Sequence, residues 1–523
     1  MRLKTPRGGG RGFADGVIFV TILLCGTLLV PPPAGAQEKD PGKKLSIPRP
    51  AIFMWGYSDP GKFKGKPGEV AGRTELPGGG VIVRVDPGGL WKKTLRTVNV
   101  VEGVTSEPEL VLRLRKEGKV FAWHVVNTIN VGDTVDSIVK KWSEPFRNTF
   151  AGRLPGGFDA ISIDELHPWP DGDERSELAI KALAELKRRY PGKLVIAAVR
   201  WQLAASGRKR VKGEIYDRQL RAIRDHVDLV FLECYLNETN PQFHLFAELA
   251  ENIEKRAPGI IEKTIYGLAI SQNLTFPYAD SSPYVEFGDF LDKQLHTIRN
   301  HPLGRKMPGV GYWVFYRARP VTVLDVLDLS RHYYIEGKTG YFGDGDYTSV
   351  VKSPSFEKDL MPWKIEGKGA EVISYKEAPG ITPWHSATFA SHGSRVLRMV
   401  GSKKGCGVSQ EIKVLPDTTY ILSAWLAGRV NSGGGLSYSL SGPDLSGGGG
   451  GVSGTPHDSC GRPSGSENHH WQRIDMTITT DKSTVLRFSL RDPRPGKTIY
   501  YDFIQLERGH KDVPGTRHPF RGW

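Results

Sequence analysis

Gly157-Phe-Asp-Ala-Ile-Ser-Ile-Asp-Glu-Leu166 decides the reading of this chain. Apolar and polar side chains alternate along it, the period of a strand, and it ends on two adjacent carboxylates, Asp164 and Glu165. A Pro/Gly/Asp loop at 167–173 and a clear helix pattern at 174–190 follow. Strand, loop and helix in that order make one βα unit of a barrel, where chemistry sits at the C-terminal ends of the strands. A lone Asp-Glu pair reads equally well as a turn cap beside a solvated acid, so the rest of the chain has to decide.

Working outward, the same unit recurs. Strand patterns fall at 51–57, 94–101, 119–126, 157–166, 193–199, 227–235, 264–270 and 309–316. Helix patterns follow the second to eighth of them, near 107–117, 133–146, 174–190, 214–226, 242–256, 285–300 and 321–334. Residues 58–87 form a Gly/Pro-rich insertion with a short apolar run at 81–85. The strand runs are short, almost continuously apolar and rich in β-branched residues, as strands buried on both faces must be. Eight such units across 51–337 predict a (β/α)8 barrel; a doubly wound sheet is the competing architecture.

After Gly337 the texture changes. A Gly/Asp-rich linker at 338–348 leads to short alternating strands at 372–375, 395–400, 409–414, 420–426, 472–478, 484–490 and 498–506, with no helix pattern between them. Residues 349–508 therefore read as an all-β jelly-roll sandwich, followed by a basic tail at 509–523. The glycine-rich stretch 441–454 reads as a loop, and no strand-to-helix junction surrounds it to make a phosphate cradle.

The first 36 residues stand outside the fold. Arg2, Lys4, Arg7 and Arg11 precede an apolar run at 17–30, and Ala34 and Ala36 supply a small-residue exit. This is the pattern of a secretory signal peptide cleaved after Ala36, with a linker at 37–50. The run is short for a membrane span, although an uncleaved anchor is the alternative. Export leaves Cys234, which sits in an apolar run as a buried thiol, and Cys406 and Cys460, which can pair in an oxidising compartment. The net charge of +14 is scattered, with one cluster at 208–212. With an export signal, this argues against nucleic acid and for an acidic glycan or cell-wall surface.

Reading the last residues of each predicted strand gives one set for the barrel mouth. It comprises Trp55, Tyr57, His124, Asn127, Asp164, Glu165, Arg200, Trp201, Glu233, Tyr235, Ser271, Gln272, Asn273, Trp313, Tyr316 and Arg317. Aromatics, amides and carboxylates together are the inventory of a sugar cleft, although any one aromatic alone reads as core. Glycosidic hydrolysis needs two carboxyl groups roughly 5–10 Å apart, one acid and one nucleophile or base. Neighbours on a strand point to opposite faces, so the pair is expected from different strands: Asp164 as nucleophile or base, Glu233 as acid, and Glu165 as substitute if the register slips. Glu233 follows Val-Asp-Leu-Val-Phe-Leu, an apolar setting that raises a carboxyl pKa. Its bland alternative is a buried acid paired with Arg200 or Arg317. This chemistry requires no cofactor.

Two resemblances extend this reading. Ser355-Phe-Glu with Trp363, Val414-Leu-Pro-Asp-Thr-Thr-Tyr-Ile-Leu-Ser-Ala-Trp425, Trp471 and Tyr501-Asp-Phe-Ile-Gln-Leu-Glu507 resemble the jelly-roll carbohydrate-binding modules of families 4 and 9. The resemblance implies glycan binding and a structural calcium near Glu357 and Asp502; a sandwich that is only a spacer is the alternative. The opening stretch resembles the fourth-strand motif of the polygalactosaminidase-like glycoside hydrolases. It resembles the chitinase motif more distantly, with Asp159, Ser162 and Asp164 in register but Leu166 where the chitinase Glu stands. Together these imply an exported glycoside hydrolase acting on a polysaccharide or cell-wall glycan, with no membrane span after leader removal. The rival is a non-catalytic exported glycan-binding protein with a degenerate barrel. The sequence names neither the sugar nor the oligomeric state.

Overall fold

The computed structural model describes residues 45–58, 70–75, 81–85, 90–105, 107–166, 173–201, 213–236, 238, 240–270, 282–313, 318–357, 360–374, 377, 394–403, 405–428, 433–441, 449–453 and 472–509. The expected signal peptide, the linker up to residue 44 and the tail beyond Gly509 lie outside them.

Eight parallel strands close a barrel in sequential order: β1 (Ala51–Ser58), β4 (Val100–Val104), β5 (Val120–Val125), β6 (Ala160–Ile163), β7 (Leu194–Arg200), β8 (Leu229–Glu233), β9 (Thr264–Ala269) and β10 (Gly309–Trp313). Between β1 and β4, β2 (Val70–Glu75) and β3 (Val81–Val85) form an antiparallel pair within the insertion. The helices fall in chain order as α1 (Leu90–Thr97), α2 (Pro108–Lys116), α3 (Val135–Trp142), α4 (Glu144–Arg147), α5 (Asp173–Arg189), α6 (Gly213–His226), α7 (His244–Arg256), α8 (Phe287–Asn300) and α9 (Pro320–Ser330).

The two-residue period of the strands sorts their side chains into two cores. One parity faces the helices. The other fills the barrel with Ala51, Phe53, Val100, Val120, Ala122, Ala160, Ile196, Ala198, Leu229, Phe231 and Ile265. Phe231 packs on Phe53 and Trp55 inside the barrel. A Cβ on Gly267 would lie 2.1 Å from its ring and one on Gly311 2.4 Å, so β9 and β10 carry glycine beside it.

Two sequence expectations are corrected. Residues 94–101 were expected as the second strand, but Leu90–Thr97 is helix and the strand begins at Val100. Thr94 and Val98 are both buried, a spacing of four that suits a helix packing on the barrel. The glycine-rich stretch is not all loop. Gly449–Ser453 (β17) pairs with Gly433–Ser441 (β16) along the edge of a sheet.

The sandwich stacks two five-stranded antiparallel sheets. One has the order β11 (Lys364–Gly367), β14 (Cys406–Lys413), β19 (Val485–Pro493), β16, β17; the other β12 (Ala370–Ser374), β13 (Arg395–Val400), β20 (Thr498–Arg508), β15 (Thr419–Gly428), β18 (Gln472–Thr479). Ile504 and Leu506 of β20 face the sandwich core, whereas Gln505 and Glu507 point the other way, to the barrel. Gln505 donates to the carbonyls of Ser282 (3.3 Å) and Val285 (3.4 Å). Glu507 pairs with Arg319 in a buried joint, and Ile421 of β15 joins the barrel's own core. Residues 338–348 run along α8, with Tyr341 stacked on His296 and Asp292 accepting from the N–H groups of Phe342 and Gly343. Among the described residues no helix is long and apolar enough to cross a membrane.

Candidate active site

The inward parity that fills the barrel also delivers its last side chains to the open end. Above Phe53 stands Trp55, above Val100 Glu102, above Ala122 His124, above Ala198 Arg200 and above Phe231 Glu233. β6 carries Ala160 and Ser162 inward and then ends at Ile163, so Asp164 and Glu165 lie in the turn beyond it. That turn corrects an expectation. Glu165 takes a left-handed backbone (φ 47°), strand alternation no longer applies, and both acids serve the mouth. Asp164 is held by its N–H on Val125 O (2.9 Å), Leu166 by its N–H on Ala198 O (2.8 Å).

Two ion pairs flank the opening. Glu102, almost fully buried, accepts from the Gly56 N–H (2.8 Å) and meets His124 Nδ1 at 2.5 Å. The far nitrogen of that ring, Nε2, stands 3.9 Å from Asp164 Oδ2. Across the mouth Arg200 pairs with Glu165, while its Cα partner on the next strand is Glu233. Of the two partners expected for a buried, neutralised Glu233, Arg200 acts on it through space without a direct bond, and Arg317 lies outside the described residues.

Environment separates the acids. Burial raises Glu233 to about 8, helped by the charges of Asp164 and Glu165 and opposed by Arg200. Burial also raises Asp164, to about 6, with His124 pulling it down against Glu165 and Glu102. Burial lowers His124, but the charge and hydrogen bond of Glu102, with Asp164 beyond, carry it up to about 9. Near neutral pH the mouth thus holds a protonated Glu233, a largely ionised Asp164 and an imidazolium between two carboxylates.

Three polar atoms in this region are buried without a hydrogen-bond partner among the described residues: Asn127 Oδ1, Ser162 Oγ and the Tyr235 hydroxyl. Asn127 also donates to Glu165 O (3.2 Å), and burial drives the Tyr235 phenol well above its usual range. Trp55 is buried against Phe231 and the edge of His124, so it forms the floor rather than an open platform. Tyr235 and Trp313 pack ring to ring at 5.0 Å, and Trp201 is exposed at 41% on the rim. Gln272, Asn273, Tyr316 and Arg317 lie outside the described residues, as does the side chain of Tyr57.

Glu102 was missed. A carboxylate inside the apolar run Val98-Asn-Val-Val-Glu-Gly-Val104 was its signal, masked by a strand read six residues early. Asp159, in register with the first chitinase acid, lies before the start of β6, at the end away from the mouth, where Arg115 and Lys193 hold it. The backbone there demands Gly157: its φ is +65°, and a Cβ would lie 2.1 Å from Phe146 O.

Of the two acids expected beside a calcium, Glu357 Oε1 accepts from the N–H groups of Ser394 (2.9 Å) and Arg395 (2.8 Å), and Asp502 Oδ1 accepts from the Phe503 N–H (2.7 Å). Both are engaged by backbone donors, and the described residues hold no group of three His, Cys, Asp or Glu that could hold a metal. Cys234 and Cys406 are free buried thiols, and Cys460, the expected partner of Cys406, lies outside the described residues.

No family model and no curated protein matches the chain. Solved structures do share parts of it. A GH18 chitinase from Pseudoalteromonas aurantia is 14% identical over 46% of this chain and 96% of its own, with a TM-score of 0.32. The module TmCBM61, solved with β-1,4-galactotriose, is 18% identical over 31% of this chain and 98% of its own, at 0.22. The CBM22-1–GH10 modules of Clostridium thermocellum xylanase 10B, complexed with xylohexaose, are 14% identical over 32% and 30%, at 0.23.

Proposed function

We propose that this protein is an exported glycoside hydrolase that cleaves a polysaccharide or cell-wall glycan, with Asp164 as nucleophile or base and Glu233 as acid. One observation carries the reading. Two carboxyl groups, one in the turn after β6 and one at the end of β8, share the open end of a barrel, close enough for Asp164 to raise Glu233. Burial raises Glu233 (to about 8) further than Asp164 (to about 6), so that near neutral pH they differ in protonation. Paired carboxyls with pKa values pushed apart are what glycosidic cleavage requires. Glu165, tied to Arg200, is a charge partner in this scheme rather than the reacting group.

The sandwich would hold the enzyme near its glycan. Part of the outer face of the β12–β13–β20–β15–β18 sheet is spent on the barrel, so the opposite sheet is where a glycan would lie. The leader at 1–36 is the reason for proposing export.

The test is reducing-end release from a panel of polysaccharides by wild type, Asp164→Asn and Glu233→Gln, with binding to the same polymers measured alongside. Cleavage by wild type, lost in both variants with binding retained, supports the reading. Binding without cleavage across the panel would favour the glycan-binding rival.

A further inference from the structure

Glu102 has no place in the two-carboxylate scheme, yet it is the most deeply buried acid of the mouth. Its two oxygens have separate partners: Oε2 accepts from the Gly56 N–H at 2.8 Å, and Oε1 meets His124 Nδ1 at 2.5 Å. The first bond fixes the carboxylate on β4 against β1. With Glu102 so fixed, the second sets the orientation of the ring on β5. Trp55 meets the other flank of the imidazole edge-on, with ring centres 5.8 Å apart. The ring is left with Nε2 facing Asp164 Oδ2 at 3.9 Å, too far for a hydrogen bond, so that one substrate hydroxyl or water lying to the side of the gap can reach both atoms at about 2.8 Å.

We propose that Glu102 is a positioning residue: it locks His124 so that Nε2–H and Asp164 Oδ2 together grip one hydroxyl of the substrate or the attacking water. The inference rests on the glycosidase reading for the identity of the substrate, but not for the geometry. Three strands contribute one group each, and the innermost does not touch the substrate. Among the described residues the charged groups acting on His124 are Glu102 and Asp164, and those acting on Asp164 are His124, Glu165 and Glu102; Arg200 and Glu233 feel the charge of Asp164 in turn. Removing the charge of Glu102 therefore takes the principal anion from His124, and the acid limb of activity moves with the Asp164 environment. This arrangement is the logic of a buried carboxylate that fixes a histidine's tautomer through the nitrogen that does no chemistry.

The experiment uses the full chain and reads two signals. The first is the titration and tautomer of His124 by 15N NMR with ring-labelled histidine, assigned by loss of its signals in His124→Gln. In wild type the imidazolium is expected to persist to about pH 9. In Glu102→Gln the midpoint is expected to fall by at least one pH unit, with Nδ1 losing its proton first. Glu102→Asp, which keeps the charge on a shorter stem, is expected to recover part of the shift. A wild-type midpoint near 6.5, or one unmoved by Glu102→Gln, overturns the proposal whether or not any glycan is cleaved.

The second signal is the pH–rate profile. Glu102→Gln is expected to lower kcat at least tenfold and to move the acid limb, with KM changed less than threefold. A purely structural role would lower the folded fraction and leave the profile of the remaining enzyme in place. Cleavage with an unmoved acid limb would remove the positioning role and leave the glycosidase reading standing. Absence of cleavage with the NMR shift present would do the reverse.

Discussion

Two clusters of acids with raised pKa values stand among the described residues, and they are built differently. At the barrel mouth, Asp164 and Glu233 are flanked by His124 and Arg200, each held by a further carboxylate, and three unpartnered polar atoms line the region. At the joint between barrel and sandwich, burial raises Glu286 to about 9, with a hydrogen bond to Asp289 adding to it. Burial raises Asp289 as well, and Asp325 far above its ordinary range. There Arg319 is sealed against Glu507, and Arg508 reaches Asp344 at 3.3 Å. A displaced carboxyl pKa marks burial in both places. What distinguishes the mouth is that its acids stand at the C-terminal ends of barrel strands, with the side chains of Asp164 and Glu165 30% and 43% exposed.

The largest effect that separates the two is on turnover. Asp164→Asn and Glu233→Gln are each expected to lower kcat by at least about a hundredfold, the low end of general acid–base catalysis. Glu286→Gln, an equally conservative change at the joint, is expected to leave kcat within threefold. Steady-state kinetics on whichever glycan is cleaved makes the comparison, and a loss of turnover in Glu286→Gln without unfolding would break it.

Stability should rank the two regions the other way. Arg319→Ala takes the guanidinium away from the buried Glu507, and breaking a buried pair costs about 3–5 kcal/mol. Arg200→Ala opens an ion pair whose side chains are 42% and 43% exposed, a change of about 1 kcal/mol or less. Urea unfolding of both variants at pH 7 tests the order.

The pH dependence follows from the direction of the shifts. A carboxyl whose pKa is raised on folding binds its proton more tightly in the native state. Its contribution is therefore fully present below the unfolded pKa and is lost as pH rises through the folded one. For Glu286 the window runs from about 4.5 to about 9, and for Glu233 from about 4.5 to about 8. Glu286→Gln is expected to flatten the decline in melting temperature across that range, with the largest gain over wild type near pH 8.5 and none near pH 4.5. An unchanged slope would mean that the Glu286 carboxyl is not the group retaining its proton.

How much of this the sequence disclosed depends on how each signal arises. The barrel strands were legible because burial on both faces forces apolar runs, and Asp164, Glu165 and Glu233 were legible because they follow or end such runs, whereas Glu102 was hidden by a misplaced strand. Residues 94–101 misled because their apolar, β-branched run suits a strand locally, whereas Leu90–Thr97 is helix and buries Thr94. Strands β16 and β17 hid in glycine and serine, since edge pairing rests on backbone bonds that composition does not record. The joint was illegible for a different reason. Arg319 and Glu507 are 188 residues apart, and nothing local to either tells that they meet.

The smallest effect concerns Ser162, one turn of the pleat below Asp164 on β6 and the Cα partner of His124. Its hydroxyl is fully buried and has no hydrogen-bond partner among the described residues, a state that costs stability. Ser162→Ala removes the unpaired oxygen and little volume, so it is expected to raise stability by up to about 1 kcal/mol. If a glycan hydroxyl or a bridging water satisfies Ser162 in the complex, the same change should lower kcat/KM a few-fold while kcat holds. Stability gained with affinity lost would mark Ser162 as part of the mouth, because an unpaired polar group is tolerated where a ligand completes it. A loss of stability would mean that the hydroxyl is already bonded in the free protein, and the inner wall of β6 would then be scaffold alone.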